Sequence, residues 1–281
     1  MTARGVLTFP AATASVPALS LTAGRYTVRF ARTAEELDRI LRLRYEIFNL
    51  ELGEGLDGAH ASGRDEDEFD RRFHHLLIVD RATGEIAGTY RMQTAEMAEA
   101  GGYYSGGIFE VEALPEEVRR SAVEIGRACV SRPHRNGRVL RLLWKGLASY
   151  LRWNRKTRLF GCCSLTSQEE ALGEAVHREL LARGAVHPTL RVHPRPEHLC
   201  RFPTPDSRIS GFRFPTPDPQ IPGGRFPIPE SRIPALFQSY LDLGAKALGP
   251  PAIDREFKTI DWLVLLDIHE LAPLTFRSFF G

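Results

Sequence analysis

Apolar residues recur along this chain with two different periods, and the switches between them mark its elements. Residues 26–32 alternate in the manner of a half-buried strand, Tyr26, Val28 and Phe30 against Thr27 and Arg29. Thr33 then precedes Glu36 by three residues, a capping box that opens a helix. Leu37, Ile40, Leu41, Tyr45 and Phe48 supply the buried stripe of that helix. It ends near residues 52–53, and a glycine-rich loop runs on to Gly63. Residues 75–80 and 85–94 read as two strands joined by a hairpin with Gly84 at its end. Residues 95–105 carry no period and read as a mobile stretch, and 115–121 as a short helix with proline near its start.

The stretch 122–143, AVEIGRACVSRPHRNGRVLRLL, organises the chain around it. It reads as a strand over 122–130, a basic turn over 131–137, and a helix from about 138 to 155. Val139, Leu140, Leu142, Leu143 and Leu147 make the apolar face of that helix. A glycine-containing basic turn before a helix can point free backbone N–H groups at an anion. Residues 158–164 read as a buried strand and 168–182 as an amphipathic helix stopped by Gly184.

Periodicity then stops. From 187 to 234 proline dominates, and a twelve-residue repeat starts at Arg201, Arg213 and Arg225. Three short, proline-rich copies suit an extended surface insertion rather than a solenoid. A helix over 235–248, a turn over 249–251 and a strand over 260–267 complete the chain. The expected fold class is α/β: a mixed central sheet flanked by helices, with a Pro-rich repeat insertion. Its expected parts are a flexible leader 1–25, a core 26–200, the insertion 201–232, and a segment 233–281 that completes the core.

Composition narrows the class. The 281 residues are 43% hydrophobic and 26% charged, as in a globular chain with a sizeable core. A net charge of +2 gives no reason to expect a nucleic-acid partner. The best apolar run, 262–266, falls far short of the ~20 residues a bilayer demands. Residues 1–25 lack the apolar stretch of a secretory signal. Cys129, Cys162, Cys163 and Cys200 fit no zinc spacing and read as reduced thiols, so the cytoplasm is the expected compartment and no metal is expected.

Several residues carry candidate chemistry. Glu124 lies within an apolar strand, where a carboxylate is costly unless paired or solvated. It reads either as the ion-pair partner of Arg127 or another arginine, or as a general base raised by partial burial. Residues 64–70, RDEDEFD, read as a solvated loop or, together, as a cation-attracting rim built from Asp65, Asp67 and Asp70. Arg44 lies beside an apolar stripe and demands a partner, for which an acid of that cluster is the natural candidate. Arg91, at a strand end, reads as a salt bridge or a carboxylate-binding group. No serine stands in a nucleophile elbow, so an acyl-enzyme is not supported.

Taken together, LRLRYEIF, RDEDEFD, HHLLIVD, GEIAGTYRM, YYSGGIFE, VEIGRACVSRPHR, LLWKGLASYL and LFGCCSL resemble the GNAT-like N-acyltransferases that use acyl carrier protein. The likeness is to the ornithine lipid and N-acyl amino acid synthase group, also called hemolysin-like, and it continues in YLDLGAKALGPPAIDREFKTIDWLVLL. More distantly the chain resembles acyl-homoserine lactone synthases, with Arg44, Phe48, Asp67, Asp70, Arg91, Glu124 and Arg127 in that family's motif positions.

The resemblance implies a GNAT-like fold and an N-acyltransferase that moves a long-chain, optionally 3-hydroxylated acyl group to an amino acid, ornithine first among the candidates. The product would be a lyso-aminolipid. Glu124 is the implied base, and Arg44, Asp67, Asp70, Arg91 and Arg127 the implied substrate-binding set. Phe48, Phe109 and Trp144 are the expected acyl-chain groove. The glycine-rich pyrophosphate turn of acetyl-CoA-using relatives is reduced here to Gly137 within RNGRVL. That departure favours the phosphopantetheine thioester of acyl carrier protein as co-substrate, with no permanently bound cofactor. Arg132, Arg135 and Arg138 would face the acidic carrier. Partners are thus the carrier and an amino acid, with peripheral contact at the inner membrane face. The competing readings are a CoA-dependent small-molecule N-acetyltransferase, an acyl-homoserine-lactone-type synthase, and a non-catalytic hemolysin-like protein.

Overall fold

The computed structural model describes residues 9–201 and 233–281. Its strands are β1 (Ser20–Ala23), β2 (Tyr26–Phe30), β3 (His74–Asp80), β4 (Ile86–Thr94), β5 (Ala122–Val130), β6 (Arg158–Leu165), β7 (Lys246–Ala247), β8 (Ala252–Asp254) and β9 (Thr259–Asp267). The helices are α1 (Ala34–Tyr45), α2 (Ala59–Ser62), α3 (Ala95–Ala98), α4 (Glu116–Ser121), α5 (Arg138–Trp153), α6 (Glu170–Ala182), α7 (Ala235–Asp242) and α8 (Pro273–Phe280). The nine strands among the described residues form one sheet in the order β1-β2-β3-β4-β5-β6-β9-β7, with β8 also on β9. Every pairing is antiparallel except β5 with β6.

Local rules account for much of this. Thr33 and Glu36 make the expected reciprocal cap on α1. The helix does not stop at Tyr45 but widens into a π-helical turn, Glu46–Glu51. The long helix α5 buries Val139, Leu142, Leu143, Leu147 and Leu151 against one face of the sheet. Gly146 lets it settle there, since a Cβ at that position would stand 2.4 Å from the Leu76 side chain. That face also packs on Phe237 and Tyr240 of α7. The opposite face carries α1 and a second apolar cluster around Phe109, Phe160 and Leu263.

Several segments differ from the sequence reading. Ser20–Ala23 pairs with β2 as an edge strand, so this part of the expected leader belongs to the sheet. Residues 95–105, expected to be mobile, hold α3 and a buried Ser105 bound to the central strand. Residues 187–201 pack on the core through bridges from Pro194 to Phe109 and Leu199 to Ala252, despite their prolines. The helix expected over 235–248 is shorter and yields to β7, while β8 and α8 had no clear sequence signal. The three twelve-residue repeats lie outside the described residues.

Candidate active site

The site is made by a break in the sheet. β5 and β6 pair in parallel only from Ala122↔Arg158 to Glu124↔Phe160, and beyond Glu124 they part. The cause lies on the other edge of β5. Between Arg91↔Gly126 and Thr89↔Cys129 the register slips, so two residues of β5 stand where β4 supplies one. Arg127, inside that bulge, has a φ of +48°, a left-handed conformation costly for a residue with a side chain. A bulge bends its strand and increases its twist, which carries β5 away from β6. Gly161 keeps the neck of the gap narrow, because a Cβ there would lie 2.1 Å from the Ile125 carbonyl oxygen.

A cavity of about 290 Å³ fills the gap and reaches both faces of the sheet. On the α5 side its wall is apolar: Trp144, Phe237, Tyr240, Val264 and Leu266. On the α1 side it is polar, with Glu54, Arg91, Tyr104, Arg127 and Asp261 beside Phe48 and Phe257. Residues 125–128 of β5 and 161–164 of β6 form the passage between them.

Behind the polar half sits a cluster of buried charges. The Arg44 guanidinium, at 0% exposure, meets both Asp65 and Asp70, with Nε 2.8 Å from Asp65. Arg91 Nη1 lies 2.6 Å from Asp67 and 3.0 Å from Asp70. Burial works to raise the Asp65 and Asp70 carboxyls, but Arg127 and Arg44 around the first, and Arg44 and Arg91 around the second, hold both below the ordinary range. These pairs tie the 64–70 segment and the end of α1 to β4. Arg44, Asp67 and Asp70 are therefore corrected from substrate ligands to a clamp whose groups bind one another. Arg91 shares that clamp and also reaches the cavity wall. Arg127 is different. Its Nε stands 3.4 Å from Asp65, yet Nε and Nη2 are buried without a hydrogen-bond partner. The guanidinium stacks over Phe257, 3.6 Å from the ring centre, near Phe48 and Tyr104.

Glu124 requires the largest correction. Its side chain is 2% exposed and does not reach the cavity. It accepts four hydrogen bonds: Gln93 Nε2 at 2.7 Å, the Tyr104 N–H at 3.1 Å, the Ser105 N–H at 2.7 Å and the Ser105 hydroxyl at 2.6 Å. Burial pushes its carboxyl up, and the Ser105, Gln93 and Tyr104 donors oppose that rise. A carboxylate so enclosed cannot meet an amine in the gap. Its role is to fasten the 103–107 turn, and with it Tyr104, to the central strand.

The expected acyl groove divides. Trp144 lines the apolar half and Phe48 the polar half. Phe109 is 0% exposed within the cluster of Ile108, Val111 and Leu114 and off the cavity, so it is core. On the basic turn, Arg132, Arg135, Gly137 and Arg138 are all exposed. Gly137 has a φ of +76° at the start of α5. Arg135 is committed to Glu51, Nη2 to Oε2 at 2.9 Å, and to the Val130 carbonyl, which removes it from the free basic set.

The residues 43–145 match the family described as an acetyltransferase (GNAT) domain. The chain is 28% identical over 262 residues to an L-ornithine N(alpha)-acyltransferase of Rhodobacter capsulatus, covering 88% of this chain and 92% of that one. A protein of the same name from Rhizobium meliloti is 29% identical over 252 residues, 87% and 80% of the two chains. The chain has a GNAT-like fold and is similar to these acyltransferases. Among solved structures, the AHL synthase LasI aligns with a TM-score of 0.45 at 11% identity over 87% of this chain and 91% of that one. No described helix of the chain is long and apolar enough to cross a membrane.

The sequence reading missed Glu54, Tyr104, Phe237, Tyr240 and Asp261, all on the cavity wall. Asp261 carried a usable signal: an acid between Ile260 and Trp262 in an apolar strand is as conspicuous as Glu124.

Proposed function

We propose that this protein moves a long-chain acyl group from the phosphopantetheine thioester of acyl carrier protein to the α-amine of ornithine, giving a lyso-aminolipid. The observation that carries this reading is the cavity through the sheet, apolar on one side and charged on the other, joined at the strand gap. Relatives named L-ornithine N(alpha)-acyltransferase support the acceptor. The acyl chain lies along Trp144, Phe237 and Tyr240, and its thioester carbonyl in the gap. Beyond Glu124 the backbone of β5 has no ladder partner in β6, which leaves its N–H groups available to an oxyanion. The amine enters from the polar side with its carboxylate on Arg127. Exposed Arg132 and Arg138 steer the acidic carrier toward the start of α5. Leu274, 75% exposed on α8, supports peripheral membrane contact by an enzyme that releases a lipid.

The test is direct. Purified protein is given ornithine with either a long-chain acyl carrier protein or acetyl-CoA, and products are identified by mass spectrometry. N-acylornithine from the carrier only is the expected result. Acetylated product from acetyl-CoA, with none from the carrier, replaces this reading with the small-molecule acetyltransferase.

A further inference from the structure

The polar half of the cavity holds more acid than its surroundings balance. Behind the wall, Arg44 and Arg91 stand against Asp65, Asp67 and Asp70, while Arg127, 3.4 Å from Asp65, makes no hydrogen bond to it. Glu54 and Asp261 lie outside those pairings, and both face the cavity. Asp261 is fixed on β9 opposite Ser164 of β6 and is 3% exposed, with Oδ1 lacking any hydrogen-bond partner. Glu54 comes from the loop after the π-helical turn, and its carboxylate meets the Thr166 hydroxyl at 3.4 Å. Burial, and then the charge of Asp261, push Glu54 up to about 7, and burial with Asp254 pushes Asp261 up to about 6. Across the same cavity Arg127 holds unpaired N–H groups. Groups left in this state are costly unless a ligand completes them. The complement of one guanidinium and two carboxylates is one carboxylate and two ammonium groups.

We propose that Glu54 is the specificity-determining residue for an amino acid with a second ammonium group on its side chain, and that Asp261 is the acceptor of its α-ammonium proton. Arg127 takes the α-carboxylate, Asp261 the α-ammonium, and Glu54, nearer the mouth, the side-chain ammonium. This rests on the N-acyltransferase reading above. The α-ammonium passes one proton to Asp261, and the free amine attacks the thioester carbonyl. The C–N bond forms as the C–S bond breaks, and the departing thiolate takes the second amine proton. Amide and thiol are the products. A neutral side chain of the same length leaves Glu54 without its counterion, and sites built around a polar partner reject analogues that lack it.

The experiment compares ornithine with norvaline, which has the same carbon chain without the side-chain amine. Binding to the full chain is measured by calorimetry without acyl donor, for wild type, Glu54→Gln, Glu54→Asp and Asp261→Asn, each checked for folding by circular dichroism. Wild type should prefer ornithine by at least about 100-fold, since loss of a bonded polar partner carries discrimination of that order or more. Glu54→Gln should cut the preference below about tenfold, and Glu54→Asp should restore part of it by returning the charge. In turnover with acyl carrier protein, Glu54→Gln should act chiefly on KM. Asp261→Asn should lower kcat by about 100-fold or more for both substrates, as loss of a proton acceptor does. Equal wild-type affinity for the two amino acids overturns the proposal, and so does an undiminished preference in Glu54→Gln. Selective ornithine binding without transfer from any thioester would instead leave this inference standing and remove the acyltransfer reading.

Discussion

Replacing Glu124 by Gln separates a structural carboxylate from a catalytic one. Glu124 Oε1 faces the Ser105 N–H and hydroxyl, and Oε2 faces Gln93 Nε2 and the Tyr104 N–H. An amide keeps only one acceptor oxygen. With its NH2 at the Oε2 position, Gln93 can rotate to offer its own unpartnered Oε1 only by giving up the bond from its Nε2 to the Gly102 carbonyl, and the Tyr104 N–H is orphaned. Turned the other way, the Ser105 hydroxyl can rotate to accept, but the Ser105 N–H is orphaned. Either arrangement strands one buried donor, at about 1–3 kcal/mol. For a chain of this size each kcal/mol moves the unfolding midpoint by about 2–4 °C, so Glu124→Gln should melt about 2–12 °C below wild type. Glu124→Ala strands all four donors and should fall further. Assayed well below both midpoints, Glu124→Gln should keep kcat within about tenfold of wild type, because removal of a true general base costs 10²- to 10⁴-fold. Calorimetric melting and a pH–rate profile read both effects. An unchanged midpoint with a 100-fold loss of kcat and a vanished acidic limb would restore Glu124 as the base and refute this account.

Gly161→Ala drives a methyl into the Ile125 carbonyl, so the gap must shift by about 1 Å. A displacement of that size costs on the order of 100-fold in turnover, measured against a midpoint lowered by about 1–3 kcal/mol of overpacking. Turnover near wild type would show that the neck is not where reaction occurs. The double substitution Arg132→Glu, Arg138→Glu should lower kcat/KM for acyl carrier protein by about tenfold at low salt and spare a small acyl-pantetheine donor; equal loss on both donors denies the carrier surface. Burial holds His75 near 4 against its ordinary 6.5. A depressed histidine contributes stability in full above about 6.5 and loses it as pH falls to about 4, worth up to about 3 kcal/mol. Nitrogen NMR should find the His75 ring neutral down to about pH 5, and protonation near 6.5 would contradict its burial.

The sheet was largely legible because its strands are apolar runs bounded by turn residues. The cap at Thr33, the hairpin at Gly84 and the stop at Gly184 are local signals that tertiary contacts left intact. What failed was anything decided by contacts distant in sequence. Ser20–Ala23 carries little apolar character and is a strand only because β2 offers a free edge. Residues 187–201 hold their course through single bridges rather than a ladder. In the site, chemistry-bearing residues were recognisable by type but not by partner. Arg44 was read as needing an acid, and it has two. Glu124 is the base that the resemblance implies, and nothing in VEIGR reveals that the 103–107 turn folds back to enclose it.

The bulge explains why the acids on the two strands that flank β6 meet different fates. Glu124 stands at the last paired position of β5, where the sheet is closed and a carboxylate has to find donors within the protein. Asp261 is paired opposite Ser164, near the far end of β6, where β5 has already departed. Its Oδ1 has no hydrogen-bond partner, and the residue lines the cavity. Both are buried acids in apolar strands, and burial raises both, yet only the second is left with an unmet bond beside a space that a ligand can enter. The position of a carboxylate relative to the point where the strands part, rather than its pKa, decides whether it holds the fold or faces the substrate. Arg127 belongs to the same logic. Its strained φ lies in the bulge that opens the gap, and the residue, with its unmet N–H groups, lines the cavity there. The residue that opens the sheet is thus also the one that offers a charge to whatever enters.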